Sequence, residues 1–210
     1  MKKHIKKILN LIFPEEKLEK EKIEILLKNR NFLDRKKDIF SLLPYKNKNV
    51  SEAIKDLKFK NKISNAKIFG EILFENILDY LEDLKIKEDF HNPILVTVPV
   101  SFWRKVKRGY NQNDLIISEF MKAGGKNFVH WEKNNLVKIK HTKPQSLTKN
   151  KAERLKNQKD AFKLKKPEKI KNQNIILFDD IYTTGATISE IEKVLKKAGA
   201  KNIKVIILAH

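Results

Sequence analysis

Two adjacent carboxylates and a turn of small residues are the part of this sequence best suited to chemistry. They lie in NIILFDDIYTTGATISE, residues 174–190, where Asp179 and Asp180 follow an apolar run. Neighbouring carboxylates repel each other, so a purely structural site rarely contains them. Ionised carboxylates accept hydrogen bonds from the hydroxyl groups of a ribose, and Mg²⁺ nearby would relieve their repulsion. The pair therefore predicts a site for a polyhydroxylated ligand.

The turn that follows has the composition of a phosphate site. Its five residues are small, and three of them carry hydroxyls: Thr183, Thr184, Gly185, Ala186 and Thr187. Successive backbone N–H groups in such a turn, with the positive end of a helix dipole behind them, form a cradle for phosphate. Gly185 allows a positive φ or a close approach of the ligand to the backbone. The spacing of Thr187 and Glu190 also fits a capping box at the helix start, which is compatible with phosphate binding.

The elements around this stretch predict an α/β fold. The run IILF indicates a buried parallel strand, whose carboxyl end is where ligands bind in open α/β sheets. PILVTVPV and NIKVIILAH predict further strands, whereas residues 63–84 and NDLIISEFMKA have helical apolar spacing. Strands alternate with helices after residue 90, which favours a mainly parallel sheet with helices on its faces. Residues 1–48 are expected to form helices and turns, and a basic loop should follow PILVTVPV.

Composition narrows the class of protein and its partners. The 210 residues suffice for one main domain, and the net charge of +20 favours a polyanionic partner such as nucleic acid or a phosphorylated metabolite. Residues 133–171 hold 14 basic and 3 acidic side chains, although a solvated lysine surface remains an alternative explanation. The absence of cysteine excludes disulfides and thiolate zinc sites. The apolar runs are too short to cross a membrane, so a cytoplasmic protein without membrane insertion is expected.

The stretch ILFDDIYTTGATISE resembles the signature of type I phosphoribosyltransferases, which bind 5-phosphoribosyl-1-pyrophosphate (PRPP). Further blocks narrow the resemblance to the ComF (competence protein F, or ComFC) family: IKDLKFK, VPVSFWRKVKRGYNQ, HTKPQSLTKNKAERLKNQKDAF and LKKAGAKNIKVIILAH. The resemblance implies a type I phosphoribosyltransferase-like domain over residues 46–210, preceded by a small helical accessory segment, residues 1–45. ComF proteins commonly begin with a four-cysteine zinc module, and because this chain has no cysteine we expect no zinc.

The resemblance assigns roles to the acidic pair and to the phosphate loop. Asp179 and Asp180 are the candidate catalytic and PRPP-binding residues and possible contacts for the Mg²⁺ that accompanies PRPP. Residues 183–187 would hold the 5′-phosphate. Val100 and Ser101 would lie near the diphosphate.

The other blocks supply candidate positioning and lid residues. Arg104 and Arg108 could pair with pyrophosphate or nucleic-acid phosphates, with a surface ion pair as the alternative for either. In RGYNQ, we expect Gly109 to shape the backbone and Asn111 or Gln112 to have a positioning role, while Tyr110 either packs or stacks. The block beginning at His141 resembles the mobile hood of relatives, and its candidate lid residues are Gln145 and Arg154. His141 itself is given no catalytic role.

Three functions are compatible with these residues. The resemblance favours a ComF-like protein of DNA uptake and natural transformation that binds PRPP with Mg²⁺ and, weakly, single-stranded DNA. Residues 133–171 would carry the DNA contacts, with Trp131 and Phe162 as the nearest aromatic side chains. The second is an active phosphoribosyltransferase, for which no acceptor site is recognisable. The third is a PRPP-sensing adaptor whose residues 1–45 contact a protein of the competence machinery.

Overall fold

The structure is a computed structural model that describes residues 31–34, 39–140 and 157–210. Its strands are β1 Asn31–Asp34, β2 Ile39–Leu43, β3 Ile94–Thr97, β4 His130–Trp131, β5 Leu136–Lys138, β6 Phe162–Leu164, β7 Asn174–Ile181 and β8 Asn202–Ala209. Its α-helices are α1 Lys48–Phe59, α2 Ser64–Glu88, α3 Phe102–Arg108, α4 Gln112–Ala123 and α5 Ala186–Lys197.

The main sheet has the strand order β1-β2-β8-β7-β3-β4. All neighbouring pairs from β2 to β4 are parallel, and only the edge strand β1 runs antiparallel to its neighbour β2. The mainly parallel α/β sheet predicted from the sequence is therefore confirmed. Strands β5 and β6 form a separate antiparallel pair.

Parallel pairing brings the ends of β3 and β7 together at one edge of the sheet. Thr97 lies opposite Phe178, and the backbone N–H of Val98 donates to the carbonyl oxygen of Phe178 at 2.9 Å. The chain leaves β3 toward α3 and leaves β7 toward α5, so the loops that begin these two helices share this edge. Ligand sites of open parallel sheets lie at such carboxyl ends.

Helices cover the sheet because their apolar stripes match its apolar strands. The apolar stripe within residues 63–84 has one exposed member, Ile63 at 48%. Its other members are buried: Ala66, Phe69, Leu73, Ile77, Leu81 and Leu84. Gly70 of α2 permits a close contact with α4, since a Cβ atom there would lie 2.6 Å from the Cβ of Glu119 and 2.7 Å from the backbone nitrogen of Phe120. On the other face, Ile188, Ile191 and Leu195 of α5 are buried in a second apolar cluster.

Two of the predicted elements are wrong. The helices and turns expected over residues 1–48 are replaced by strands at residues 31–34 and 39–43, because β1 pairs with β2 and the buried β2 also pairs with β8. The basic loop expected after β3 is instead the helix α3. The accessory helix expected in residues 1–45 lies largely outside the described residues, and the division of the chain at residue 45 stays a prediction.

Candidate functional site

The adjacent carboxylates lie at the carboxyl end of β7, where the sequence placed them. Asp179 keeps partial solvent exposure, whereas Asp180 is only 4% exposed. Both are held from the start of α4: Gln112 donates to Asp180 and Asn113 donates to Asp179, at 2.8 and 3.0 Å. Because successive residues of a strand point to opposite faces, the two carboxylates have different surroundings.

Asp180 is neutralised by a cation from a distant part of the chain. The Nζ atom of Lys58, at the end of α1, lies 2.9 and 2.8 Å from the two carboxylate oxygens of Asp180. Gln112, which donates to the same carboxylate, also accepts a hydrogen bond from Arg108 at 3.0 Å. Lys58, Gln112 and Arg108 therefore fix Asp180 in place, while each of its oxygens retains lone pairs for a ligand.

Asp179 carries the less compensated charge of the pair. Burial, and then the neighbouring charge of Asp180, raises the pKa of Asp179 to about 7. Hydrogen bonds from Asn113 and from the backbone N–H of Asp180 oppose this increase, as does the charge of Lys58. A nearby cation or hydroxyl donor stabilises the ionised form of a carboxylate whose pKa is raised. Asp179 is therefore the member of the pair that a ligand would stabilise more.

The loop after β7 enters α5 through a glycine, so the amino terminus of the helix has no side-chain cap. Gly185 adopts φ +73°, and a Cβ atom at this position would lie 2.5 Å from the Tyr182 hydroxyl oxygen. It caps α5 without a side-chain acceptor, so the first N–H groups of the helix have no side-chain cap. The hydroxyl of Thr184 is buried and has no hydrogen-bond partner. A helix amino terminus without a side-chain cap, beside a buried hydroxyl, suits a phosphate oxygen.

The predicted capping box does not form. One carboxylate oxygen of Glu190 accepts from the backbone N–H of Asp160 at 2.8 Å, and the other pairs with Lys193 at 2.9 Å. Helix α5 begins at Ala186 instead, with Gly185 as its N-cap, because a left-handed glycine supplies the turn into the helix.

A second loop, between β3 and α3, faces the same edge. Ser101 is 1% exposed, caps α3 in extended conformation, and has a hydroxyl without a partner. A pocket of about 270 Å³ lies beside it, lined in part by Val100, Lys105 and Lys138. The Nζ atom of Lys138 donates to Gln158 at 2.8 Å. Burial, and then the charge of Arg104, lowers the pKa of Lys138 to about 8.

Comparison with known proteins agrees with this geometry. The model of the family described as phosphoribosyl transferase domain matches residues 70–210. The chain belongs to this phosphoribosyl transferase domain family.

Among its relatives, Competence protein F of Haemophilus influenzae and Competence protein ComFC of Streptococcus pneumoniae are each 32% identical over 164 residues. The alignments cover 74% and 76% of this chain and 66% and 64% of the relatives. DNA utilization protein YhgH of Escherichia coli is 26% identical over 158 residues, with 74% of this chain and 65% of the relative covered. The chain thus spans just under two thirds of these relatives, and its resemblance to the ComF family is confirmed.

One solved structure, that of the allosteric regulatory enzyme of purine biosynthesis, matches with a TM-score of 0.38 at 18% identity. The match covers 68% of this chain and 25% of that one, which is too remote to bear on function.

The phosphoribosyl transferase domain brings most of the predicted site residues to one edge. Asp179 and Asp180 end β7, residues 183–187 lead into α5, and Val100 and Ser101 lie on the loop after β3, all at this edge. Arg108 reaches the edge through Gln112, and the charge of Arg104 acts on Lys138. Their ligand roles stay predictions. The lid candidates Gln145 and Arg154, with His141, lie outside the described residues.

The block RGYNQ acts mainly through its backbone and amides. Gly109 adopts φ +82° and ends α3. Asn111 caps α4 and donates to the carbonyl oxygen of Val98 at 3.2 Å. The Tyr110 hydroxyl donates to the carbonyl oxygen of Leu57, which makes it a packing residue rather than a stacking one. The block therefore joins α1, β3 and α4 beneath the acidic pair.

Both aromatic side chains proposed for DNA stacking are packed against other parts of the protein. Phe162 is 4% exposed within an apolar cluster, with Lys138 over its ring, so it cannot receive a base. Trp131 packs against the core, and the Nζ atom of Lys133 lies 4.9 Å from its ring centroid. The expectation for Phe162 is wrong because residues alternate along β6, and its strand neighbour Lys163 takes the solvent side.

Sequence reasoning missed Lys58, Asn113 and Lys138. Lys58 is separated from Asp180 by 122 residues, so only the folded chain reveals the contact. Its one sequence signal was the block IKDLKFK, to which no role was attached. Among the described residues, no cluster of three or more His, Cys, Asp or Glu side chains is arranged to hold a metal. Within that same part of the chain, no helix has the length and apolar content needed to cross a membrane.

Proposed function

We propose that this chain is a cytoplasmic protein of DNA uptake that binds a ribose 5-phosphate ligand, PRPP with Mg²⁺, together with single-stranded DNA. Relatives named competence protein F, ComFC and DNA utilization protein support the biological setting. The phosphoribosyl transferase domain supports the ligand class. The residue-level arrangement of the carboxyl edge supports the choice of PRPP, as follows.

The observation that carries the proposal is a set of buried polar atoms without partners at this edge. They are the hydroxyl of Ser101, the side-chain oxygen of Asn113 and the hydroxyl of Thr184. A buried polar atom without a hydrogen bond costs about 1–3 kcal/mol, so such atoms collect where a ligand or ordered water completes them. The three atoms belong to the loop after β3, the contact of Asp179 and the loop after β7.

In this arrangement the phosphate, the ribose and the diphosphate of the ligand each lie beside protein groups that can bind them. The 5′-phosphate binds the amino terminus of α5, which has no side-chain cap, and the Thr184 hydroxyl. The ribose hydroxyls donate to Asp179, while the ion pair with Lys58 keeps the neighbouring Asp180 ionised and fixed in position. The diphosphate lies toward Ser101, with Arg108 and Lys138 as the nearby cations. The charged forms of both side chains are stabilised by an anion.

The acidic pair also suits the accompanying metal ion. Mg²⁺ prefers carboxylate oxygens and keeps several waters and phosphate oxygens, so one carboxylate from the protein suffices. Asp179, whose pKa is raised, is the residue that would hold it. When bound, Mg²⁺ neutralises charge on the diphosphate. Because Asp179 must be ionised for this contact, we expect Mg²⁺-dependent binding to weaken as the pH falls below about 7.

Calorimetric titration of PRPP with Mg²⁺ into wild type and Asp179→Asn tests the ligand proposal. The amide keeps the shape of the side chain but cannot accept from two ribose hydroxyls or hold the cation as well, so affinity should fall about tenfold or more. Asp83→Asn, at a carboxylate 61% exposed on α2, is the matched control and should bind as wild type. No binding to wild type, or equal binding to all three proteins, would reject the site.

A working phosphoribosyltransferase is the second candidate, favoured by the pocket beside the β3–α3 loop. Its volume of about 270 Å³ gives an acceptor room next to the proposed sugar diphosphate. Asn111 and Asp114 in its lining could orient hydrogen-bond donors of that acceptor. Pyrophosphate release that depends on an added nucleobase or amine would establish this activity, and release at the background rate with every acceptor would reject it.

A further inference from the structure

The short helix α3 exposes its apolar side chains beside the candidate site. Phe102, Trp103 and Val106 are 67%, 63% and 61% exposed, and α3 has no buried residue. Soluble proteins seldom group large apolar side chains on the surface without a binding role. We refer to Phe102, Trp103 and Val106, with Lys105 and Lys107 between and after them, as the aromatic–basic face.

The charges on α3 all have one sign. Residues 102–109 contain Arg104, Lys105, Lys107 and Arg108 and no carboxylate. Lys105 and Lys107 form no ion pair with any residue that the structure describes. Partial burial, and then the charge of Arg108, lowers the pKa of the Arg104 guanidinium, as expected where cations are crowded. Lys105 and Lys107 thus present positive charge that no ion pair within the described residues compensates.

The two rings on α3 do not stack on each other. The centroids of Phe102 and Trp103 are 5.6 Å apart at an interplanar angle of 75°, so the rings meet edge to face rather than covering each other. Near the other end of α3, Phe59 is 71% exposed, and the Arg108 guanidinium lies 4.9 Å from its ring centroid. Aromatic rings interleaved with cations are the surface that stacks bases and pairs with phosphates.

We propose that the aromatic–basic face is the stacking platform for single-stranded nucleic acid, with bases against Phe102 and Trp103 and phosphates against Lys105 and Lys107. This inference rests on the proposed single-stranded DNA binding and adds the place where the strand lies. Lys105 also lines the pocket beside Ser101, so the face is continuous with the candidate ligand site. Residues 133–171 then contribute long-range charge rather than base contacts.

Two other kinds of partner fit this face less well. Helices that lie in a membrane surface bury a long apolar face, and α3, with seven residues, is only about 10 Å long. The centre of a protein–protein interface is depleted of charge, whereas four of the seven residues in α3 are cations. A nucleic-acid strand uses both the rings and the charges.

Fluorescence anisotropy of a labelled oligothymidine with wild type and the double variant Phe102→Ala, Trp103→Ala tests the platform. Stacking contributes about 1–3 kcal/mol per base, so the double variant should bind about tenfold or more weakly. Its melting temperature should match wild type, because neither ring is buried. Ile86→Ala, at a residue 81% exposed on α2, is the matched control and should bind normally.

Salt dependence separates the phosphate contacts from the rings. Lys105→Gln with Lys107→Gln should reduce the slope of log Kd against log salt by roughly 0.7 for each phosphate that is no longer neutralised. The pair Lys163→Gln with Lys166→Gln, at two exposed lysines in residues 133–171, should change the slope less.

The outcomes distinguish this inference from the proposed function. If the ring variant binds the oligonucleotide like wild type while Lys163→Gln with Lys166→Gln binds poorly, the strand lies elsewhere and the platform is rejected, but DNA binding stands. If wild type binds no oligonucleotide, the DNA part of the proposed function fails first. Sedimentation with anionic phosphatidylserine vesicles tests a membrane as the partner. If the ring variant no longer sediments with the vesicles but binds the oligonucleotide like wild type, the face contacts a membrane and the platform is rejected.

Discussion

The two adjacent carboxylates should affect stability in opposite directions when each is replaced by its amide. Asp180 pairs with Lys58, and the two side chains are 5% and 16% exposed. Removing one member of a buried pair costs about 3–5 kcal/mol, since the other charge is left without a partner. Lys58 retains some contact with water, so we expect Asp180→Asn to lower the free energy of unfolding by about 2–3 kcal/mol.

Asp179→Asn should instead stabilise the protein. A rise in pKa from 3.8 to about 7 corresponds to an upper limit of about 4 kcal/mol at about 1.4 kcal/mol per pKa unit. Part of this belongs to the interaction with Asp180, and Asp179 is partly exposed, so we expect a gain of about 1–2 kcal/mol. An asparagine can still accept the hydrogen bonds from Asn113 and from the backbone N–H of Asp180.

The gain should depend on pH with a defined sign. Between about pH 4 and pH 7 the folded chain holds a proton on Asp179 that the unfolded chain has released, so wild-type stability declines as the pH rises. Asp179→Asn removes this decline. Its advantage should be small near pH 4 and complete above about pH 7.

Urea denaturation followed by circular dichroism at about pH 5 and about pH 8 measures both effects. Asp83→Asn, in an exposed i,i+4 pair with Lys87, is the control and should change stability by no more than about 0.5 kcal/mol. Equal losses in Asp179→Asn and Asp180→Asn, or a gain in Asp179→Asn that is the same at both pH values, would refute the electrostatic reasoning.

Three further substitutions test other parts of the structure. Gly185→Ala should lower stability by about 1–2 kcal/mol and weaken phosphate binding, because φ is positive and the added Cβ meets Tyr182; unchanged melting and binding would contradict this. Gly70→Ala should lower the melting temperature, since its Cβ meets the backbone of Phe120, and a variant as stable as wild type would argue against the close α2–α4 contact. Lys138→Met should abolish a rise in unfolding free energy of about 1–2 kcal/mol between about pH 8 and pH 10, because the lysine pKa is lowered on folding; a wild-type profile without that rise would count against the burial of Lys138.

Much of the fold follows from local patterns in the sequence. The strand at β7, the turn at Gly185 and the helix α5 combine an apolar run, a glycine and a helical stripe that all favour the same elements. The same reasoning failed for β2, since IFSLL is a short apolar run whose five residues are all buried, and periodicity cannot separate such a run from a buried helix segment. Pairing with β8 decides the conformation there.

The candidate site was predictable only in part. Its acids and small loop residues are contiguous in sequence, whereas the partners of the acids come from α1 and α4, 122 and 68 residues away from Asp180. Long-range contacts of this kind leave no local pattern. The exposed position of Phe102 and Trp103 was also hidden, because large aromatic side chains are ordinarily expected in the core.

A crystal structure of the protein with PRPP and Mg²⁺ tests the central claim most directly. Our account predicts the 5′-phosphate at the amino terminus of α5, within hydrogen-bond distance of the N–H groups of residues 184–187 and of the Thr184 hydroxyl. It also predicts the ribose hydroxyls on Asp179. Density for the ligand at any other place, with the α5 terminus filled by water alone, would contradict the account.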